Sequence, residues 1–334
     1  MVRIILVALA GAIVMSAGAQ AQSVGVAQAA GDVDVAQVDR EAPEASWQAA
    51  AGHRQRIGYG RLTTNDLIGD GQDRWRTGSI TTSRIYGFGW DGAAPARFGE
   101  LLELRMQGQI IAPADLTTVN ASDRPWAGAL SFGLHSHMQR DDTEIALGAD
   151  LVFIGPQTGL DRLQDALHGA LGAPRPTDAM LAQQIPDKIR PTLVFEAGQV
   201  MKLGGTVSLR PFAEARAGDE TLVRVGADFS FGTVGRGELL VRESVTGQRY
   251  RAVYDSAPGY SVTLGGDIAY VADSVYLPEE RGYQLTNRRD RARVGLHWQG
   301  KKASAFYGLT YLGEEFLGQS EGQVTGSVRL KMRF

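Results

Sequence analysis

The last run of the chain, residues 323–334, alternates between two kinds of side chain. Its apolar and small positions are Val324, Gly326, Val328, Leu330, Met332 and Phe334, and its polar positions are Thr325, Ser327, Arg329, Lys331 and Arg333. Successive side chains of a β-strand point to opposite faces, so this pattern predicts a strand with one apolar and one wet side. A lipid environment outside and a watery lumen inside would satisfy both faces.

Eleven earlier runs have a similar alternating character and are separated by clusters of Gly, Asp, Asn or Pro. The runs are 57–67, 77–90, 100–112, 126–138, 143–154, 190–202, 206–217, 222–232, 260–271, 291–298 and 303–312. With the last run they make an even number of strands, each long enough to cross a bilayer at a tilt. We therefore predict an all-β fold, a transmembrane antiparallel β-barrel of about twelve strands. The alternative is a soluble β-sandwich that happens to end in Phe334.

The beginning of the chain predicts export. Arg3 precedes an apolar run over residues 4–15 and then small residues that end in Ala19-Gln20-Ala21, which is typical of a cleaved signal peptide over residues 1–21. No segment is an apolar stretch of the length that a membrane-spanning helix needs. We expect residues 22–55 to form a flexible lead segment and residues 56–334 to form the barrel, placed in the outer membrane of a Gram-negative cell.

Composition excludes several other classes of protein. The chain has no cysteine, so it can hold neither a disulfide framework nor a thiolate metal site. Its formal net charge of −3 argues against a nucleic-acid partner. The 42 glycines against 12 prolines fit a protein of strands and turns.

Two segments interrupt the succession of strands. Between residues 155 and 190, Leu160, Leu163, Leu167 and Leu171 recur at helical spacing, which predicts a short amphipathic helix between strands five and six. A loop of this length in a compact barrel usually carries function. The second segment, residues 233–258, is more charged, and we interpret it as a hairpin that stands outside the membrane.

Several short motifs occur in a particular order along the chain. They are Thr64-Asn65-Asp66, Asp73-Arg74-Trp75-Arg76-Thr77-Gly78, Asp123-Arg124-Pro125-Trp126-Ala127-Gly128, Ile154-Gly155-Pro156, and His168-Gly169-Ala170-Leu171-Gly172-Ala173-Pro174. Each motif alone is weak, because such residues are common in turns. The ordered set resembles the outer-membrane lipid A deacylase family (LpxR-like). Phe195-Glu196-Ala197-Gly198 and Tyr311-Leu312-Gly313-Glu314-Glu315-Phe316 are similar to that family's later strands, so the resemblance extends over residues 59–334.

The resemblance implies a calcium-dependent esterase that removes the 3′-linked acyl chain of lipid A. It places Asn65 and Asp66 on the family's catalytic Asn-Asp pair, Thr77 on its site threonine and His168 on its catalytic histidine. Hydrolysis of an ester without a nucleophilic serine needs a base for water, here His168, and positive charge at the developing oxyanion. Ca²⁺ held by hard oxygens such as those of Asp66 and Asn65 could supply that charge.

The expected partners follow from the same resemblance. They are lipid A or lipopolysaccharide of the outer leaflet and, through the terminal Phe334, the machinery that assembles outer-membrane barrels. We expect a monomer.

Two departures from the family bear on these expectations. Where family members have a calcium-site glutamate after the histidine, this chain reads Gly172-Ala173-Pro174-Arg175-Pro176, so Asp70, Asp73 or Asp178 would have to compensate. A Lys-Arg pair that some members direct at lipid A phosphates is missing from residues 117–122. Arg74, Arg76 or Arg175 could take that role.

Other interpretations stay open at this point. His168 could simply cap or pack its helix, and the barrel could be a catalytically inactive, structural or pore-type protein. A soluble secreted binding module is the third class. Among the other histidines, His53 lies in the lead segment, His135 and His137 share a strand face with no carboxylate expected in register, and His297 precedes a belt tryptophan, Trp298.

Overall fold

A computed structural model describes residues 52–254 and 257–332. The predicted signal peptide, residues 22–51 of the predicted lead segment and the terminal Phe334 lie outside the described residues.

Twelve antiparallel strands form the wall of a closed barrel, as predicted. In chain order the strands are β1 (Gln55–Asn65), β2 (Trp75–Gly87), β3 (Leu101–Ala112), β4 (Ala127–Arg140), β5 (Thr143–Ile154), β6 (Lys188–Gln199), β7 (Met201–Gly204), β8 (Val207–Ala217), β9 (Glu220–Gly232), β10 (Leu239–Arg242), β11 (Arg249–Val253), β12 (Gly259–Ser274), β13 (Arg289–Gln299), β14 (Ala303–Leu312) and β15 (Gln323–Met332). Three of these fifteen strands are not part of the twelve-stranded wall. The short β7 extends the sheet beside β8, and β10 and β11 pair only with each other. The pairing of β6 with β8 and of β1 with β15 closes the wall.

The alternation along each wall strand sorts side chains between lumen and membrane. In β15, Thr325, Ser327 and Arg329 are buried toward the lumen, whereas Leu330 on the other face is 47% exposed. Closure gives every wall strand two hydrogen-bonded neighbours, which a lipid environment requires because unpaired backbone groups there are costly. Among the described residues, the structure contains no helix long and apolar enough to cross a membrane.

The contact between β1 and β15 is shorter than the other seams and lies at one end of the barrel. The two strands pair over Thr63, Thr64 and Asn65 of β1. Beyond β1, a 3-10 turn (Asp66–Ile68) continues along β15, and the Asp70 amide donates to the Val324 carbonyl at 2.9 Å. This end also carries the loop between β5 and β6, residues 155–187, so we assign it as the extracellular end.

Residues 239–253, here called the lumen hairpin, lie inside the barrel, so the interpretation as a hairpin outside the membrane is wrong. Arg242 pairs with Asp228 of β9, and Arg249 pairs with Glu144 of β5, each at 2.8 Å. The charged residues that made the segment look water-exposed instead neutralise carboxylates on the inner face of the wall.

The wall makes room for the lumen hairpin on the side of β1. A Cβ built on Gly60 would lie 2.8 Å from the Tyr250 ring, and one built on Gly58 would lie 2.2 Å from the Ala252 carbonyl oxygen. Only glycine permits this approach of two backbones. Inside the lumen, the hairpin therefore contacts the wall on opposite sides, at β1 and at β5 and β9.

The predicted helix after β5 is present as α1 (Leu160–Leu171), followed by the single turn α2 (Asp178–Leu181). The buried side chains of α1 are Leu160, Gln164 and His168, spaced at one helical turn. Of the predicted leucine stripe, Leu160 and Leu163 pack against Trp126, whereas Leu171 is 45% exposed. The end of the helix that carries His168 is therefore anchored by His168 and Gln164 rather than by the last leucine.

Candidate active site

Asp66 lies at the point where β1 leaves the wall. The Asn65 side-chain oxygen accepts from the Leu67 amide at 2.8 Å and caps the 3-10 turn that begins at Asp66. The Asp66 carboxylate is fully buried, and its Oδ2 accepts from the Arg74 amide at 2.5 Å. Its Oδ1 lies 3.5 Å from the Thr77 hydroxyl at the start of β2.

The loop between β1 and β2 is strained next to this carboxylate. Asp73 has φ 60° and Trp75 has φ 52°, a left-handed conformation that costs a non-glycine residue free energy. The strained loop directs the Asp73 side chain between two predicted site residues. Its Oδ1 accepts a short hydrogen bond from the Thr77 hydroxyl, and its Oδ2 lies 3.2 Å from His168 Nε2.

His168 is held from the helix side. One turn before it, Gln164 Oε1 accepts from the Trp126 indole at 2.6 Å, which fixes α1 against the start of β4. His168 Nδ1 lies 2.5 Å from the Pro174 carbonyl oxygen, which can only accept, so Nδ1 carries the proton. A neutral His168 therefore presents the lone pair of Nε2 on the side of Asp73 and Thr77.

The structure thus links Asp66, Thr77, Asp73 and His168 in one chain of contacts. Asn65 adjoins the chain through its backbone, while its side-chain oxygen stays bound to the Leu67 amide. Asp73 is the member that the sequence suggested only as one of three carboxylates, with Asp70 and Asp178, that could compensate for the missing calcium-site glutamate. Asp73 lies in the same motif as Thr77, but nothing in the sequence shows that its backbone directs its side chain toward His168.

The electrostatics of the site favour an added positive charge. Burial, assisted by the charges of Asp73 and Asp70 and opposed by the hydrogen bond from the Arg74 amide, raises the pKa of Asp66 to about 8. A bound cation would favour the ionised carboxylate instead.

The donor set can be tested for a calcium ion on its chemistry. Asp66 and Asp73 offer carboxylate oxygens and Thr77 a hydroxyl oxygen, all hard ligands of the kind that Ca²⁺ takes. Among the described residues, no three acidic or histidine side chains form a metal-binding group by themselves. These residues fit calcium if backbone or amide oxygens complete the shell. Asp178 is exposed at the start of α2, and Asp70 binds the Val324 amide at 2.9 Å.

The three arginines suggested for phosphate lie in different settings. Arg76 is buried between Glu315, at 2.7 Å, and Glu220, at 3.3 Å, so a phosphate would have to displace an ion pair. Arg74 pairs with Glu321 at 2.7 Å. The exposed Arg175 guanidinium is bound to Asp165 on α1. Arg175 is thus the exposed one of the three, and it is bound to the helix that carries His168.

The expectation that no carboxylate would be in register with His135 and His137 is wrong. Glu103 of β3 pairs with His135 in the backbone ladder, and its carboxylate lies 2.7 Å from His137 Nε2. His135 Nε2 lies 2.8 Å from Asp150 of β5. Both histidines are buried in the lumen, away from the strained loop. His297 is also buried in the lumen, while its neighbour Trp298 is exposed on the membrane face.

Comparison with known proteins supports the family resemblance. A family model described as "Outer membrane protein LpxR" matches residues 45–334. Among solved structures, LpxR from Salmonella typhimurium aligns with a TM-score of 0.69 at 17% identity, over 83% of this chain and 100% of that chain. The NanC porin aligns with a TM-score of 0.36 at 5% identity, over 83% and 100%. No curated protein sequence matches the chain significantly.

Proposed function

Because the chain belongs to the LpxR family of outer membrane proteins, we propose that it hydrolyses an ester-linked acyl chain of lipid A. The proposal depends above all on the contact between His168 Nε2 and Asp73, which joins the helix to the buried Asp66 and Thr77. A base, an acidic cluster and a hydroxyl meet there at the extracellular end of the wall. An ester at head-group depth in the outer leaflet would lie at the same level.

In the proposed reaction His168 acts as the general base. The Pro174 carbonyl keeps the proton on Nδ1, so Nε2 takes a proton from water while the water oxygen attacks the acyl carbon. Collapse of the tetrahedral intermediate breaks the bond between the acyl carbon and the ester oxygen. Nε2 then returns its proton to that oxygen, which leaves a free fatty acid and a hydroxyl on lipid A.

The proposed cofactor is Ca²⁺, with Asp66 as its main ligand and Asp73, Thr77 and an Asn65 oxygen as further donors. When bound, the ion supplies the positive charge that stabilises the oxyanion. Asp73 takes the place of the glutamate that this chain lacks after the histidine, since it is the carboxylate nearest His168. Its left-handed backbone holds that position without metal.

Substrate binding is proposed to use the surface around α1. The exposed Leu171 offers apolar contact for an acyl chain, and Arg175 offers a guanidinium for a lipid A phosphate. Arg175 can exchange its exposed partner Asp165 for phosphate at little cost, because exposed ion pairs contribute little free energy. Arg76 is unsuited to this role because it is buried and paired.

The test is deacylation by the purified, refolded barrel. Lipid A incubated with the protein and calcium should lose the mass of one acyl chain in mass spectrometry, and chelation should stop the loss. A protein that migrates as a folded barrel on gels but leaves lipid A intact over a range of calcium concentrations would contradict the proposal.

The second candidate function is a non-enzymatic barrel, favoured by the missing calcium-site glutamate. In that case the lumen hairpin makes a structural role a better candidate than a pore, since it occupies the lumen. Intact lipid A without conductance in planar bilayers would support the structural role, whereas intact lipid A with conductance would support a pore.

A further inference from the structure

A cluster of charged side chains closes the extracellular end of the lumen, on the inner side of the wall from α1. Arg124 donates to Glu315 at 2.8 Å, Glu315 binds Arg76, Arg76 reaches Glu220, and Glu220 accepts from Arg289 at 2.7 Å. All five side chains are nearly or fully buried. Three arginines share two carboxylates here, so the cluster carries one positive charge in excess.

The guanidinium groups of the two arginines at the ends of this cluster donate hydrogen bonds on one side only. Arg289 uses Nη1 on Glu220, and Arg124 uses Nη1 on Glu315. On both guanidinium groups, Nε and Nη2 have no hydrogen-bond partner among the described residues. Nε and Nη2 form the edge of a guanidinium that binds two oxygens of one ligand at once. Each arginine therefore keeps a bidentate donor edge unused.

The other carboxylates that line the adjoining cavity, Glu214, Asp219 and Asp290, have arginine partners of their own. Arg216 pairs with Asp219 at 2.8 Å and Arg224 with Glu214 at 3.1 Å, so those carboxylates are already engaged. Burial, and the charges of Arg76 and Arg289, lower the pKa of Arg124 in spite of Glu315. Buried donors and a buried charge without a partner are costly, which favours a ligand that supplies both oxygens and negative charge.

A cavity of about 60 Å³ adjoins the cluster and is lined by Arg76, Glu220, Arg289 and Glu315. Its volume exceeds that of one water molecule. We propose that this cavity binds a small oxyanion, such as inorganic phosphate, on the Nε–Nη2 edge of Arg289. The unused donors of Arg289 bind the anion, and Glu220 and Glu315 hold the guanidinium groups in place.

This site is separate from the proposed lipid A site. It lies in the lumen and is lined by charged side chains, which suits a dissolved ion rather than an acyl chain. Arg288, next in sequence, is exposed and pairs with Asp290 at 2.6 Å, so it provides a matched control outside the cavity.

The experiment measures thermal unfolding of the refolded barrel in phosphate and in chloride at equal ionic strength. Phosphate should raise the unfolding midpoint of the wild type and of Arg288→Lys by several degrees. Arg289→Lys keeps the charge but loses the two-donor edge, so its midpoint should not respond. An equal response of Arg289→Lys, no response of the wild type, or stabilisation by lipid A but not by phosphate would overturn the proposal.

A direct measurement covers the case in which Arg289→Lys does not fold. Wild-type crystals soaked in selenate, a tetrahedral oxyanion, should give an anomalous selenium peak within hydrogen-bond distance of Arg289 Nε and Nη2. Density for water only at that position would overturn the proposal.

Discussion

Among the described residues, a histidine Nε2 meets a carboxylate at three places, two in the lumen and one at the extracellular end, and the surroundings differ between the two regions. His137 lies 2.7 Å from Glu103 inside the lumen, and His168 lies 3.2 Å from Asp73 at the extracellular end. Glu103 also accepts from Arg105 Nε and Nη2, each at 2.8 Å, and from the Ser83 hydroxyl. The lumen pair is thus neutralised and saturated with hydrogen bonds.

The pair at the extracellular end has neither feature. Asp73 receives one hydroxyl, from Thr77, and sits on a left-handed backbone in a loop rather than in a strand. His168 stands on a helix outside the wall with its tautomer set by a backbone carbonyl. The difference shows that a histidine–carboxylate contact becomes a candidate for chemistry only where its charge is uncompensated and a substrate can reach it.

The strongest test of the difference between the two pairs is to replace each imidazole in turn. His168→Gln should lower the deacylation rate by roughly 10²–10⁴-fold, the usual contribution of a general base. His137→Gln should leave the rate nearly unchanged, because His137 lies in the lumen network. Both rates are measured by mass spectrometry of lipid A under the same calcium concentration.

Folding must be checked alongside these rates. The shift of the folded barrel on unheated gels should be retained by His168→Gln, which changes a helix outside the wall. A large loss of activity in folded His137→Gln, or full activity in His168→Gln, would reverse the assignment of the two pairs.

Substitution of the two carboxylates, Asp73 and Glu103, should show the second largest difference between the two pairs. Asp73→Asn tolerates the left-handed backbone but loses its charge, so activity should fall by about 10–100-fold, as for residues that orient a catalytic group or metal ligand, with little change in stability. Glu103→Gln leaves Arg105 buried without its partner and should cost about 3–5 kcal/mol of unfolding free energy. Urea unfolding and the deacylation assay applied to both variants separate the two effects. Equal losses of stability in Asp73→Asn and Glu103→Gln would contradict these predictions.

The barrel could be predicted from the sequence because membrane and lumen impose opposite demands on successive residues of every wall strand. Val328 and Leu330 face outward and Ser327 and Arg329 inward, and no tertiary information is needed to see it. The lumen hairpin could not be placed in this way. Arg242 and Arg249 look like water-exposed residues until the carboxylates that meet them, Asp228 and Glu144, are brought from distant strands.

The candidate site was predictable only in part for the same reason. The motifs pointed to Asp66, Thr77 and His168, and the spacing of α1 followed from its leucines. Which face of α1 packs inward depends on the Trp126 indole that binds Gln164, and that contact joins two separate segments. The position of Asp73 depends on a left-handed backbone that no residue pattern specifies.

The last prediction concerns a pH profile of stability rather than a rate, at Asp66, which has no arginine beside it comparable to the partner of Glu103. Burial raises the pKa of Asp66 from the usual 3.8 to about 8, so the folded state without metal holds a proton that the unfolded state releases. Stability in chelator should therefore be greatest at low pH and fall as the pH rises from 3.8 towards 8, with no further loss above that. Asp66→Asn removes the titration, and its stability should change less over this range. Thermal unfolding of both proteins in chelator measures the difference between the two pH profiles. Parallel profiles would mean that the Asp66 carboxylate is as well compensated as Glu103, and the contrast between the two ends of the barrel would then depend on His168 alone.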